Sequence, residues 1–289
     1  MSACDFRRAP IPPAVLMILA SAVFRATAIT GSVITDNFDT SHDYLAGGVA
    51  GTAWSGLYTG VGSFPGGSYG MAPGSNLTAN ANLSNPGQLT VQTANAGWDM
   101  TEDDGFFLFM NASGNFQMSV QIIVPYSTSQ YNQAGLLVRA ANPDGSPFGG
   151  AENWVSFVRF DEFGVSTMFD STVNGQTGRT TLPLPDPNYW LRINRVNGST
   201  FNFYERAQAS DPWQLVGPSI SRPDLAGLAL QVGITQGTFS SNSPQVEFDN
   251  FSLTLVPEPG AGLLSATGLA MAVLLVQSRG RAFAKRQIG

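Results

Sequence analysis

The chain has 289 residues, 43% of them hydrophobic and only 12% charged, with a formal net charge of −6 at pH 7. Residues 29–256 carry seven arginines against 18 acidic residues, a net charge of −11 that repels phosphate backbones and sets nucleic acid aside as a partner. A body so acidic suits calcium or a neutral glycan better; the lone cysteine, Cys4, precedes it, which excludes disulfides, Cys-ligated metals and a Cys nucleophile from it.

The first element is a leader. Arg7 and Arg8 precede the apolar run Ala14–Val23, and Ala26-Thr27-Ala28 follows as an A-x-A site. That order predicts a secretory signal over residues 1–28, cut after Ala28. The run is too short for a bilayer, which takes about 20 residues, and Pro10, Pro12 and Pro13 oppose a buried helix.

From Gly31 to Leu255 strand signals dominate, with no 3.6-residue period, no internal repeat and no dividing linker. One domain over residues 29–255 is expected. Phe116, Met118, Val120 and Ile122 alternate with polar residues, as do Leu228, Leu230, Val232 and Ile234. "YWLRINRV" and "TFNFYERA" flank Asn197-Gly198-Ser199, a hairpin signal. Val246 and Phe248 lie in one phase and Phe251, Leu253 and Leu255 in the other, which calls for a bulge at Asp249-Asn250. Many short strands punctuated by Gly and Pro predict an all-β antiparallel sandwich, a jelly roll.

The run "GWDMTEDDGFFLFMNASGNFQMSVQIIV", followed by "YNQAGLLVRA", "NWVSFVRF" and "YWLRINRVNGSTFNFYERAQASDPWQLV", resembles the concanavalin A-like lectin/glucanase jelly roll. It is most similar to the β-xylosidase C-terminal-like accessory domains of the DUF1349 type, over Trp98–Leu255. The resemblance implies two curved sheets with a concave face that in relatives often holds sugar. Gly47–Pro86, rich in Gly, Ser and Asn, departs from the compact version of that family.

Candidate chemistry follows from residue types. A glycosidase of this fold needs two carboxylates at a set separation, and the laminarinase-like branch carries them as E-x-D-x-x-E, a spacing absent here. Glu102-Asp103-Asp104 and Asp161-Glu162 are neighbours followed closely by Gly, which reads as solvated turns. His42, the single histidine, has no second His or Cys for a metal, and reads as a surface loop residue. Aromatic rings suit the C–H faces of sugars. Trp54, Trp98, Trp154, Trp190 and Trp213 could each stack on a sugar ring; Trp54, Trp98 and Trp154 are taken as glycan-binding candidates together with Tyr58, Arg139 and Arg159, and Trp54 and Tyr58, in the Gly-rich segment, are preferred. No cofactor is required. Calcium is an option at Asp36, Asp39 and Asp249, where terminal strands would gather hard oxygen ligands.

The chain closes on residues 256–289. Pro257 and Pro259 hold Glu258 in extended backbone, the sixteen uncharged residues Ala261–Val276 follow, and four basic residues stand among the last eleven. As a helix the apolar part spans roughly 24 Å, and its basic end stays cytoplasmic. Val256-Pro257-Glu258-Pro259, the apolar span and the Arg-rich end resemble the PEP-CTERM sorting signal of bacterial envelope proteins. That resemblance implies export machinery and an exosortase as partners, transient membrane insertion through a C-terminal helix, and processing at Pro257-Glu258-Pro259. The expected protein is an envelope or extracellular-matrix component that binds polysaccharide without catalysis. The alternatives are a secreted glycoside hydrolase or lyase of the same fold, and a structural matrix protein without a small ligand.

Overall fold

The computed structural model describes residues 31–59, 76–94, 96–99, 102–103, 105–123, 131–143, 145–161, 164–183, 189–238 and 245–256. The segment expected as a leader (1–28) and the tail from Pro257 onward, where a hydrophobic helix is expected, lie outside the described residues. Among the described residues no helix is long and apolar enough to cross a membrane.

The strands in chain order begin with β1 (Val33–Asp36), β2 (His42–Asp43), β3 (Gly56–Thr59), β4 (Asn76–Ala81), β5 (Leu89–Thr93) and β6 (Trp98–Asp99). There follow β7 (Glu102–Asp103), β8 (Phe106–Ala112), β9 (Asn115–Ile123), β10 (Asn132–Arg139), β11 (Trp154–Asp161) and β12 (Val165–Val173). The last are β13 (Gln176–Pro183), β14 (Tyr189–Val196), β15 (Thr200–Arg206), β16 (Gln214–Ser221), β17 (Leu230–Thr238) and β18 (Gln245–Val256). One short helix, α1 (Tyr44–Gly47), is capped by Asp43, whose carboxylate accepts from the amides of Leu45 and Ala46.

Among the described residues the strands form a nine-stranded sheet, a seven-stranded sheet and the small β6–β7 pair, and every ladder is antiparallel. The larger sheet runs β16-β15-β14-β9-β18-β5-β4-β2, and the smaller runs β13-β12-β11-β10-β17-β8-β3. β18 is long enough to serve two neighbours on one side: β5 pairs with Gln245–Phe248 and β1 with Phe251–Thr254. The register of β18 on β9 slips between Asp249 and Ser252, and Asn250 takes a φ of 52°, so the bulge stands where the change of phase places it. Asn197 and Gly198 both have positive φ and turn β14 into β15, as the Asn-Gly pair predicts.

One hydrophobic cluster fills the space between the sheets, with Phe116, Met118, Val120 and Ile122 from β9 meeting Leu136 and Val138 from β10 and Val232 and Ile234 from β17. The seven-stranded sheet is buried on its other face as well. There Tyr58, Trp98, Phe107, Phe109, Leu137 and Trp154 form a second cluster, and Val158, Phe160 and Met168 a third. This explains why β8 reads Phe106-Phe107-Leu108-Phe109-Met110 without alternation: a strand covered on both sides has no polar phase.

Two glycines make this packing feasible. A Cβ at Gly233 would lie 2.0 Å from the Leu108 carbonyl oxygen, and one at Gly135 would lie 2.4 Å from that of Phe157. Both obstacles are backbone of the neighbouring strand and cannot swing aside. Gly233→Ala is therefore expected to destabilise the fold by about 1–3 kcal/mol or more. Gly178→Ala on β13, whose nearest neighbour is 3.9 Å away, should stay within about 0.5 kcal/mol of the parent. Urea melts of the two variants check the contrast, and equal midpoints would contradict it.

Candidate binding site

The six residues expected to touch sugar are in the interior. Trp54, Tyr58, Trp98, Trp154, Arg139 and Arg159 are all buried, Tyr58 being the most exposed at 7%. Trp54 stacks with Phe38 and tilts on Phe251 in the main core, and its Nε1 donates to Asp36 Oδ2 at 2.8 Å. The preference for Trp54 and Tyr58 as sugar contacts is corrected: β3 and the Trp54 indole, both from the Gly-rich segment, are built into the sandwich. An indole so placed contributes about 3–5 kcal/mol to a core, so its loss would read as instability.

Arg139 is a structural clamp. Its Nε donates to Glu152 Oε2 at 2.8 Å, its Nη2 pairs with Glu152 Oε1 and donates to the Gly145 carbonyl, and its Nη1 donates to Gln231. Its guanidinium carbon lies 4.6 Å from the Tyr58 ring centre and 5.9 Å from that of Trp98. The arrangement pins the 140–153 connection to the second cluster. Arg159 is buried near Glu205 of β15: burial pushes the Glu205 carboxyl above the usual carboxylate range, while Arg159 and the Thr167 hydroxyl pull it back. Both arginines serve the interior.

His42 lies in β2, part-buried, with Nε2 2.8 Å from the Gly48 carbonyl and its ring edge-on to Tyr44. It fastens the two ends of α1. Asp161 ends β11, whereas Asp104 and Glu162 lie outside the described residues.

Asp36, Asp39 and Asp249 are brought into one neighbourhood. Burial pushes the Asp249 carboxyl up, the Asn250 amide opposes this, and the charges of Asp39 and Asp36 add to the rise. Among the described residues no group of three or more His, Cys, Asp or Glu side chains is disposed to hold a metal ion.

The open aromatic residues lie elsewhere. Leu191 and Ile193 of β14 and Phe201 and Phe203 of β15 point into the core. Alternation therefore puts Trp190, Arg192, Tyr204 and Arg206 on the outer face of the nine-stranded sheet, all part-exposed. Trp190 pairs across the ladder with Arg206, and Arg192 with Tyr204. The Arg206 guanidinium lies 4.5 Å from the Trp190 ring centre and 4.4 Å from that of Trp213, and Arg192 lies 3.9 Å from Trp213. Beside this stack runs a cleft of about 560 Å³, lined by Gln121, Ile123, Trp190, Ala207, Gln208, Ala209 and Asn250. Asn250 reaches it because of the β18 bulge, and its Nδ2 donates to Gln121 at 2.9 Å. Amides, an indole edge and aliphatic patches together form a surface suited to hydroxyls and C–H faces. None of these residues was among the preferred candidates. The signal was present in "YWLRINRV", where an aromatic and a cation share the phase opposite Leu191 and Ile193.

The fold and this face define an antiparallel β-sandwich with a polar-aromatic cleft on the outside of one sheet. Residues 89–255 match the family described as a protein of unknown function (DUF1349), and the chain belongs to that family. β1 to β4, ahead of the matched region, still complete both sheets. Similar solved structures include a xylan β-1,4-xylosidase from Bacillus halodurans C-125, 15% identical with a TM-score of 0.52 over 76% of this chain and 38% of that one. A mutant of the GH43 protein BlXynB from Bacillus licheniformis is 16% identical with a TM-score of 0.53, over 77% and 39%. The match thus spans less than two-fifths of either Bacillus protein, and the likeness is one of fold. A functionally unknown protein from Saccharomyces cerevisiae is 22% identical, with a TM-score of 0.48 over 59% of this chain and 89% of its own. No curated protein sequence matches.

The acidic neighbourhood yields a test of pH dependence. Because the folded Asp249 carboxyl titrates above its unfolded value, its ionisation costs stability, and the cost develops as pH rises through the folded pKa. Asp249→Asn is expected to raise the melting temperature at neutral pH, with the gain vanishing below the usual carboxylate range. Melting curves across pH check this, and a gain that persists in acid would contradict it.

Proposed function

We propose that the protein is exported, joins the cell envelope or its extracellular matrix, and binds polysaccharide there without cleaving it. The observation that carries the binding reading is the cleft of Gln121, Gln208, Asn250 and Trp190 beside the Trp190–Arg206–Trp213 stack. Its described lining offers amides for hydroxyls and aromatic surface for sugar rings. The fold shared with a xylan β-1,4-xylosidase is compatible with a polysaccharide ligand.

Sorting rests on the two ends. The leader directs the chain through the inner membrane, and the rigid Pro257-Glu258-Pro259 presents an extended strand to an exosortase cleft. The apolar span holds the tail in the bilayer until that cut, while the basic end stays inside. Mass spectrometry of envelope material is expected to contain no peptide from Ala261 onward. Abundant protein retaining Arg279–Arg286 would reject the sorting signal.

For binding, Trp190→Ala is expected to reduce retention in affinity gels of xylan, mixed-linkage glucan, polygalacturonate and alginate about tenfold, equivalent to roughly 1.4 kcal/mol. The fold should lose no more than about 1 kcal/mol, since the residue is a surface one. Reducing-sugar assays on the same polymers should stay flat. Unchanged retention would reject this site, and sugar release abolished by a single carboxylate substitution would make the protein a hydrolase.

A further inference from the structure

Five of the seven arginines of the body have their guanidinium groups committed. Arg139 clamps Glu152, Arg179 pairs with Asp170 and Arg222 with Asp224. Arg195 donates to the carbonyls of Gly198, Leu225 and Leu228, and Arg159 is buried near Glu205. The remaining two, Arg192 and Arg206, are neighbours on the outer face of the nine-stranded sheet. Among the described residues neither forms an ion pair. The Arg192 guanidinium makes no hydrogen bond among the described residues; Arg206 donates one, from Nη1 to the Ala209 carbonyl at 2.5 Å, and its buried Nε has no partner there.

That placement is costly in a protein whose body carries a net charge of −11. Acidic partners are plentiful, yet two like charges are set side by side over Trp213. Burial and the Arg206 charge push the Arg192 guanidinium down from its ordinary value, with Tyr204 opposing; burial lowers Arg206 too, with Asp211 opposing. The indoles of Trp190 and Trp213 hold both planar groups in place, while the Arg192 guanidinium and the Arg206 Nη2 donate no hydrogen bond among the described residues. A planar fork of donors fits a carboxylate better than a hydroxyl.

We propose that the Trp190–Trp213 face binds an acidic, uronate-bearing polysaccharide, with Arg192 and Arg206 taking its carboxylate and the adjoining cleft of Gln121, Gln208 and Asn250 taking its hydroxyls. The inference rests on the polysaccharide-binding reading above and names the class of ligand. Net negative charge elsewhere does not prevent it. At physiological salt, charges beyond about 8 Å are largely screened, so the guanidinium pair in contact decides the sign at the site.

The test runs the full chain in affinity gels of polygalacturonate and of alginate, each beside its carboxyl-reduced, neutral counterpart. At least one acidic polymer should be retained tenfold or more better than its reduced form. Arg192→Gln and Arg206→Gln should each cost about tenfold of that retention, while Arg192→Lys and Arg206→Lys, which keep charge but lose the fork, should fall between. Melting temperatures of all variants guard against misfolding, and Arg192→Gln, which removes no hydrogen bond within the protein, carries the result if the Arg206 variants melt early. Equal, Trp190-dependent retention of acidic and reduced polymers would overturn the acidic ligand and leave the glycan site standing. Retention of an acidic polymer that survives both glutamine variants would overturn the role of the arginines. Retention of none of the polymers, acidic or neutral, would overturn both readings.

Discussion

A β-sheet that must hide both of its faces constrains everything else in this molecule. The seven-stranded sheet gives one face to the core it shares with the nine-stranded sheet and the other to a layer of aromatic rings built on Tyr58, Trp98, Phe107, Phe109 and Trp154. Within that sheet, Gly135 and Gly233 sit where any Cβ would strike a carbonyl of the neighbouring strand. The arrangement also consumes large side chains. Three of the five tryptophans and the Tyr58 ring are interior, and the open aromatic surface among the described residues is on the outer face of the other sheet.

Charge follows the same division. Among the described residues the interior gives its cations partners: Arg139 with Glu152, Arg222 with Asp224 and the Trp154 carbonyl, Arg195 with the Gly198 carbonyl of the β14–β15 turn and with those of Leu225 and Leu228 ahead of β17. Removing one partner of such a group strands a buried charge, a change far more costly than loss of a surface pair. On the outer face the logic differs: Arg192 and Arg206 lie over indole faces, and neither forms an ion pair among the described residues, although the charge of Asp211 favours the Arg206 cation. Cation–π contact at a part-exposed site supplies about 0.5–1 kcal/mol, enough to orient the groups without neutralising them.

The β18 bulge links architecture to the cleft. It lets one strand serve β5 and β1 in succession on the same side. It also turns Asn250 toward Gln121 at the cleft, leaving Asp249 near Asp36 and Asp39. A regular ladder would place these side chains differently, since a one-residue slip exchanges the faces of a strand.

Period-2 alternation in β9, the Asn197-Gly198 turn and the change of phase at Asp249-Asn250 are local properties, each set by residues within a few positions, so the all-β class and the bulge were legible in the sequence alone. So was the order of the closing segment, from Pro257 through the apolar span to the basic end, since it is linear text. Which tryptophans are core and which are surface was not legible. That depends on whether a second layer covers a sheet, and the cover over Trp154 comes from Tyr58 and Trp98, 96 and 56 residues earlier in the chain. Pairing of Arg206 with Trp190, and of both arginines with Trp213, likewise depends on strand register across three strands. Local pattern determined the strands and their phases; only the stacking of sheets, where long-range contacts compete for each side chain, decided which rings and charges remain outside.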